Sequence, residues 1–183
     1  MNVTIKELKF SFRSEYDIYA AGSTYYASKA FFALRDKLEV RAEDGHVLAK
    51  IRGDFSPLRA KHDFEMADGR VYHFWCEKIW KRVFRCEGNQ RCFRLYEHKG
   101  LRYSIFDGDS QIAAFTKNRV VIGSGNEYDI QMNDDADLPL VISMVLTVNT
   151  AENDSDKATV TVDLGNIGPE EMTQPPKTGP SKM

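Results

Sequence analysis

The sequence has few cysteines, no long hydrophobic run and almost no excess charge of either sign. Its 183 residues include three cysteines, Cys76, Cys86 and Cys92, and an odd number without repeated spacing argues against a disulfide framework. The longest uncharged apolar run, 138–151, has 14 residues and as a helix would span about 21 Å, less than the ~30 Å hydrocarbon core of a bilayer. No signal-peptide pattern opens the chain. We therefore expect a soluble, cytoplasmic protein with reduced thiols.

What is present is ordinary for a globular protein, with 42% hydrophobic and 28% charged residues. The length favours one domain, placed at 1–168. From Pro169 onward the composition turns to Pro, Gly, Ser, Thr and Lys, which predicts a disordered tail over 169–183. The segment 157–162 is left open as a last strand or an edge segment.

Most of the chain alternates polar and apolar residues, as 37–42 and 61–66 do, which is typical of half-buried strands. Gly or Asp-Gly turns separate the runs, which favours an all-β meander. The absence of an internal repeat argues against a propeller. About twelve antiparallel strands must close or split into a sandwich to avoid exposed edges. The predicted strands are 3–12, 15–20, 23–33, 37–42, 47–53, 61–66, 70–77, 82–87, 91–97, 101–107, 111–117 and a pair from 119 to 132.

The segment after these strands predicts one buried helix, at about 138–150. Asp137 is a candidate N-cap, and Pro139 lies in the first turn, where its missing N–H does no harm. Apolar residues face almost every direction around such a helix, which is typical of a fully enclosed one. The alternative, a fully buried strand, fits the β-branched content, but the length and the Asp-x-Pro start favour a helix. A closed barrel would enclose that helix on all sides.

Several stretches resemble the LURP-one-related family of the tubby C-terminal-like superfamily. They are the hairpin sequence of 37–51, the segment Tyr103-Ser104-Ile105-Phe106-Asp107-Gly108, and Tyr128-Asp129-Ile130 leading into the apolar helix. The order of elements over about 15–152 also resembles phospholipid scramblases. The resemblance implies a mainly β fold: a closed barrel of about twelve antiparallel strands around one central hydrophobic C-terminal helix.

About function the resemblance implies less. Tubby-type domains bind phosphoinositides through basic surface residues, scramblase-type members are linked to membranes and calcium, and plant members of the family are tied to defence. The resemblance does not align the lipid-binding residues of tubby domains with this sequence position by position, so none is carried over. The predicted helix is also too short to cross a bilayer, which argues against a scramblase activity.

Charge is unevenly distributed: residues 1–126 carry 22 Lys+Arg and 16 Asp+Glu, whereas 127–183 carry 3 and 11. One basic window, 78–102, has eight cations and two carboxylates, and Trp75 and Trp80 lie in or beside it. The window is interpreted either as a solvated strand surface or as a cationic face for phosphate-bearing partners. The candidate ligand-binding residues are Lys78, Lys81, Arg82, Arg85, Arg91 and Arg94.

Other constellations fail as chemical motifs. Oxygen side chains alternate from Asp129 to Asp137, but the sixth and twelfth positions of a calcium loop would be Asp134 and Leu140 instead of Gly and Glu. No Cys-x-x-Cys or helical His pair is present. Cys86 and Cys92 are placed so that they can face each other across a turn, although all three cysteines are interpreted as small core residues. The Gly-rich segment 123–126 lies between strands and is interpreted as a hairpin turn.

These observations predict a non-enzymatic binding domain, peripheral to a membrane, for anionic phospholipid head groups or phosphorylated partners. No cofactor, metal or nucleic acid is expected. A protein-interaction scaffold, using the acidic end or a strand edge, is the alternative. A small-molecule binder or enzyme is disfavoured because the helix would occupy the interior that a ligand needs.

Overall fold

The computed structural model describes residues 1–10, 13–29, 37–54, 61–78, 82–119 and 125–156. These residues form twelve strands followed by one helix. The elements are β1 (Asn2–Phe10), β2 (Arg13–Ala20), β3 (Ser23–Lys29), β4 (Lys37–Ala42), β5 (Val47–Asp54), β6 (Lys61–Met66), β7 (Val71–Lys78), β8 (Val83–Gly88), β9 (Arg91–His98), β10 (Arg102–Asp107), β11 (Ser110–Arg119), β12 (Asn126–Met132) and α1 (Leu138–Asp156).

The strands form a closed antiparallel barrel in which each strand pairs with its neighbours in sequence. The first and last strands complete the ring, because Val3 pairs with Ile130 and Ile5 pairs with Tyr128. Closure leaves no free sheet edge among these strands. The predicted barrel is confirmed, and the sandwich that the strand pattern alone also allowed is excluded.

Alternation along each strand separates the core from the outer surface. In β6, for example, His62, Phe64 and Met66 are buried while Lys61 and Asp63 are exposed. The same alternation around the ring directs one set of apolar side chains inward. The inward sets of the strands and the buried face of α1 form a single hydrophobic core.

The helix lies inside this barrel. All residues of 140–148 are buried, and α1 packs against β4, β5 and β6. Asp137 caps its first turn, since its Oδ1 accepts a hydrogen bond from the backbone N–H of Leu140 at 3.2 Å and its carbonyl accepts one from Val141 at 2.9 Å. The helix and its cap are therefore confirmed, and the buried-strand alternative is wrong. The helix continues to Asp156, beyond the predicted end near 150.

Three sequence predictions differ from the structure or lie wholly or partly outside its described residues. Instead of a strand pair from 119 to 132, the described residues there contain the end of β11 and the single strand β12. Residues 120–124 and 157–183 lie outside the described part, and so do the predicted final strand and the predicted tail.

Because the strands alternate in direction, their connections divide between two ends of the barrel. The connections at 21–22, 43–46, 67–70, 89–90 and 108–109 share one end with the link from β12 to α1; we call it the helix-entry end. The opposite end, the far end, carries Arg82 before β8 and the connection at 99–101. The predicted turn glycines Gly45, Gly69, Gly100 and Gly108 all have positive φ, as tight hairpins require.

Candidate functional site

The barrel does not bring the six predicted basic residues together. Arg82 precedes β8 at the far end, whereas Arg91 begins β9 at the helix-entry end. The six residues of β8 separate the two by about 20 Å at ~3.3 Å per residue. Lys81 lies outside the described residues, and Lys78 ends β7 with a side chain that is not described. The basic window of the sequence is thus not one continuous patch.

The two arginines at the barrel ends each have a carboxylate partner. Arg82 Nη1 lies 3.2 Å from Glu97 Oε1. Arg91 donates to Asp107 Oδ2 through Nη2 at 2.6 Å and Nε at 3.1 Å, and its guanidinium lies 4.8 Å from the centre of the Phe93 ring. These local pairs neutralise both charges, which leaves Arg82 and Arg91 poorly suited to attract an external anion.

Arg85 and Arg94 are brought together instead. They are direct cross-strand partners on β8 and β9, on the outer surface, since the inward positions of these strands hold Cys86 and Phe93. Arg85 pairs with Glu87, whereas Arg94 is exposed and makes no ion pair within the described ranges. Like charges directly opposite each other destabilise a sheet. This pair therefore holds positive charge that the described residues do not neutralise.

The register extends this pair into a row across the outer wall. Trp75 on β7 is opposite Arg85, and Lys61 on β6 is opposite Trp75. On the other side, Phe106 on β10 is opposite Arg94. The Arg85 guanidinium lies 5.9 Å from the centre of the Trp75 ring. We call these five residues the basic row: Lys61, Trp75, Arg85, Arg94 and Phe106.

The sequence did not indicate Lys61 as a candidate, because 23 residues lie between it and Arg85, the nearest cation of the row. Only the strand register places the two cations on the same wall. The alternation of buried and exposed positions is the signal that can find such a residue. It places Lys61 on the outer face of β6 and Arg85 on the outer face of β8. Trp80, the second tryptophan of the window, lies outside the described residues.

The electrostatics of Arg85 keep it charged. The hydrogen bond with Glu87 raises the pKa of Arg85 and outweighs the opposing effect of desolvation, and the neighbouring Cys92 also favours the charged form. The guanidinium is therefore a permanent cation at the centre of the row. Its partner Glu87 is the one carboxylate that opposes it directly among the described residues.

The cysteines do not form a reactive pair. Cys86 is opposite Phe93, and Cys92 is opposite Glu87, so the two side chains lie on opposite faces of the barrel wall. The prediction that they can face each other is wrong, because Cys92 lies one residue away from the position opposite Cys86, and neighbouring residues of a strand point to opposite faces. Burial raises the pKa of Cys86 far above its usual range, as expected for a core thiol. Cys92 is only half-buried and lies on the outer surface.

The acidic segment before the helix serves as a cap and a tether. Asp137 caps α1, and its Oδ2 lies 2.6 Å from Arg70 Nη2, while Asp129 accepts a hydrogen bond from Asn118 Nδ2 at 2.9 Å. Within the described ranges no group of three or more His, Cys, Asp or Glu side chains is arranged to hold a metal ion. The geometry is that of an ordinary helix start.

A family model described as LURP-one-related matches residues 1–149. The chain belongs to the LURP-one-related family. The match contains all twelve strands and the buried part of α1, so it extends further toward the N-terminus than the stretches that carried the resemblance. The tubby-like superfamily is the known context of this family, and the closed barrel with its enclosed helix agrees with that context. Neither the curated proteins nor the solved structures compared with this LURP-one-related chain give a match.

Among the described residues, no helix is both long enough and apolar enough to span a membrane. This finding agrees with the short apolar run of the sequence. The candidate site is the basic row on the outer wall of β6 to β10.

Proposed function

We propose that this LURP-one-related domain is a non-enzymatic binding module that attaches to anionic phospholipid head groups through the basic row. The observation that supports the proposal is the direct pairing of Arg85 with Arg94, of which only Arg85 has a carboxylate partner. Lys61 adds a third cation, an exposed one, to the same wall. Trp75 and Phe106 lie among the cations, and aromatic side chains next to cations suit the interface between head groups and acyl chains.

The magnitude of the attraction is modest. Each cation close to an anionic surface contributes about 1 kcal/mol. Arg85 is paired with Glu87, so the attraction rests on Lys61 and Arg94, which together contribute about 2 kcal/mol, roughly a thirtyfold partition onto the surface. At physiological salt the Debye length is only about 8 Å, so we expect weak attachment that salt reverses.

The non-enzymatic part of the proposal is supported by the interior. Residues 140–148 are all buried, and they pack into the space that a ligand would occupy in an open barrel. A small substrate would have to displace the helix to enter.

The experiment is co-sedimentation with vesicles that contain phosphoinositide, compared with neutral vesicles, at ~50 mM and at higher salt. We expect binding to the phosphoinositide vesicles at low salt only. The double variant Lys61→Gln/Arg94→Gln should lose most of it, a decrease of about thirtyfold in the partition coefficient if each cation contributes about 1 kcal/mol.

The matched control is Lys6→Gln/Lys37→Gln, which removes the same charge from exposed lysines on other parts of the wall. If this control loses as much binding as the basic-row variant, attraction is generic and the proposal fails. The proposal also fails if the protein does not sediment with phosphoinositide vesicles at low salt. Equal binding of a soluble phosphopeptide and of vesicles would redirect the proposal to phosphorylated protein partners.

A further inference from the structure

A second surface of distinct character lies on the opposite side of the barrel. In a ring of twelve strands, β2 lies six strands from β8 in either direction. The outer wall of β12, β1, β2 and β3 therefore faces away from the basic row. We call five residues of this wall the acidic–tyrosine surface: Asp17, Tyr19, Tyr26, Glu127 and Asp129.

The strand register makes these residues neighbours. Asp129 on β12 is opposite Thr4 on β1, and Thr4 is in turn opposite Tyr19 on β2. The next outward row runs from Glu127 to Lys6, then from Lys6 to Asp17, and from Asp17 to Tyr26. Adjacent strands are ~4.8 Å apart, so the surface is about 15 Å wide.

The carboxylates of this surface are largely unneutralised. Asp17 and Asp129 make no ion pair within the described part of the chain. The partner of Asp129 is neutral, since its Oδ2 accepts a hydrogen bond from the Asn118 side-chain amide at 2.9 Å. Glu127 has a partner in Lys6, with Nζ and Oε1 3.9 Å apart. Three carboxylates thus oppose a single lysine, which gives the surface a net negative charge.

The two tyrosines are unusually exposed for their size. Tyr19 is 45% exposed and Tyr26 is 43% exposed, and with Val71 they are the exposed large hydrophobic residues of the described chain. They are diagonal neighbours on β2 and β3, because Tyr26 is opposite Asp17 and Tyr19 lies two residues beyond Asp17 on the same face. Exposed tyrosines beside unpaired carboxylates fit the cationic side chains of Lys and Arg. The carboxylates can form ion pairs with the cation, and the tyrosine rings attract its guanidinium or ammonium group.

We propose that the acidic–tyrosine surface docks a Lys- or Arg-containing segment of a partner protein. Charge complementarity selects this occupant, since an anionic or purely apolar segment would leave the carboxylates desolvated without partners. The closed ring offers no strand edge to a partner in this region, so recognition must use side chains instead of strand addition. The surface is separate from the basic row, and the two can be occupied together.

The experiment measures fluorescence anisotropy of a fluorescein-labelled peptide of alternating arginine and glycine, titrated with the full chain at ~50 mM salt. The variant Asp17→Asn/Asp129→Asn should weaken binding about tenfold, as expected from the loss of two exposed ion pairs. Its matched control is Glu43→Gln/Asp109→Asn, which removes two exposed carboxylates from turns at the helix-entry end. The control should keep its affinity within about twofold.

A second pair of variants tests the aromatic contribution. Tyr19→Ser/Tyr26→Ser should weaken peptide binding, whereas Val71→Ser, at the third exposed hydrophobic position, should leave it unchanged. Circular dichroism of each variant checks that the barrel is intact. Equal losses in the variants and their controls would overturn the proposal, because they would show non-specific attraction. Self-association that Asp17→Asn/Asp129→Asn abolishes would overturn it in favour of a second copy of this chain.

The outcomes separate this proposal from the lipid-binding one. Lys61→Gln/Arg94→Gln should leave peptide binding unchanged, and Asp17→Asn/Asp129→Asn should leave vesicle binding unchanged or slightly stronger. Loss of peptide binding in the basic-row variant would overturn the assignment of the peptide to the acidic–tyrosine surface.

Discussion

At the scale of single residues, buried polar side chains in this barrel obtain partners in different ways. Glu7, only 3% exposed, accepts hydrogen bonds from the backbone N–H of Asn126 at 3.0 Å and from its side-chain amide at 2.8 Å. Ser143 donates to the carbonyl of Pro139 within α1 at 2.8 Å. His98 and Ser104 pair with each other, with Nε2 and Oγ 3.1 Å apart. Each arrangement offsets the cost of removing a polar group from water.

His98 gives the residue scale a pH-dependent prediction. Burial, together with the positive charge of Arg102, lowers the pKa of His98 below its usual 6.5. Below about pH 6.5 the unfolded chain therefore binds a proton that the folded chain does not. The stability associated with neutral His98 is retained above that pH and is lost as the pH falls toward the lower pKa of the folded state.

We expect the urea midpoint of unfolding to fall between pH 7.5 and pH 5.5, and His98→Gln to show a smaller fall than the original chain. His46→Gln is the matched control, since His46 is an exposed histidine in the turn between β4 and β5. An unchanged slope in His98→Gln would contradict the prediction. For each variant we compare the change in urea midpoint between the two pH values, because the carboxylates elsewhere contribute equally to that change in both variants.

At the scale of elements, the start of α1 is held by two kinds of contact. Asp137 caps the first turn and also pairs with Arg70 at 2.6 Å. Arg70 lies in the hairpin between β6 and β7 and also pairs with Asp68 at 2.6 Å. Burial alone would lower the pKa of Arg70, but the hydrogen bonds with Asp137 and Asp68 outweigh it and raise the pKa above its usual value. The hairpin is thereby tied to the point where the helix enters the barrel.

Asp137→Ala should lower the free energy of unfolding by about 1–3 kcal/mol, because it removes a helix cap and one partner of Arg70. Urea denaturation measures the change. Asp137→Asn should recover about half of the loss, since asparagine caps a helix but carries no charge for Arg70. Asp135→Ala, at an exposed position of the same acidic segment, serves as the control. A loss as large in the control would assign the effect to overall charge near the helix start.

At the scale of the whole molecule, helix and barrel share one core. The buried residues of α1 belong to the same cluster as the inward residues of the strands. Neither part can bury its apolar surface alone, since the helix is apolar on all sides and the barrel without it would enclose a cavity. The two should therefore form and unfold together.

We expect the far-ultraviolet circular dichroism of the secondary structure and the near-ultraviolet signal of the aromatic core to change at the same urea concentration. Val145→Asp places a charge at a fully buried helix position. It should lower the free energy of unfolding by more than about 3 kcal/mol, and both urea midpoints together, or prevent folding. Its matched control is Val71→Asp, which introduces the same charge at an exposed valine. Two separated transitions in the original chain would show that the helix docks onto a barrel already formed.

Both proposed surfaces also belong to this scale. The basic row and the acidic–tyrosine surface are six strands apart on a closed ring, and each is built from residues distant in sequence. A ring of strands turns a linear chain with little net charge into a molecule with two chemically different sides. The proposals on vesicles and on cationic peptides test those two sides separately.

Much of the fold was predictable because local chemistry determines it. Alternation with period two predicted most strands within a few residues, and Asp137 followed by Pro139 predicted the helix start. Apolar residues facing almost every direction around 140–148 predicted an enclosed helix, because only an enclosed position satisfies apolar groups on nearly every side. The odd number of cysteines without repeated spacing argued against a disulfide framework, and Cys76, Cys86 and Cys92 are free in the structure.

The candidate site was predictable only in part. Arg85 and Arg94 were named among the basic candidates, but Arg82 and Arg91 proved to be paired at opposite ends, and Lys61 was missed. Nearness along the chain indicates nearness in space only within one strand or hairpin. Across strands, the register decides which side chains are neighbours.

The sequence by itself determined the strands, the turns and the buried helix, because each depends on residues within one short segment. The tertiary structure alone decided that the ring closes through β1 and β12, that Arg85 faces Arg94, and that Tyr19 and Tyr26 lie on the side opposite them. The physical reason is that pairing between strands joins residues far apart in the chain. A shift of one residue in that pairing would direct every side chain to the other face.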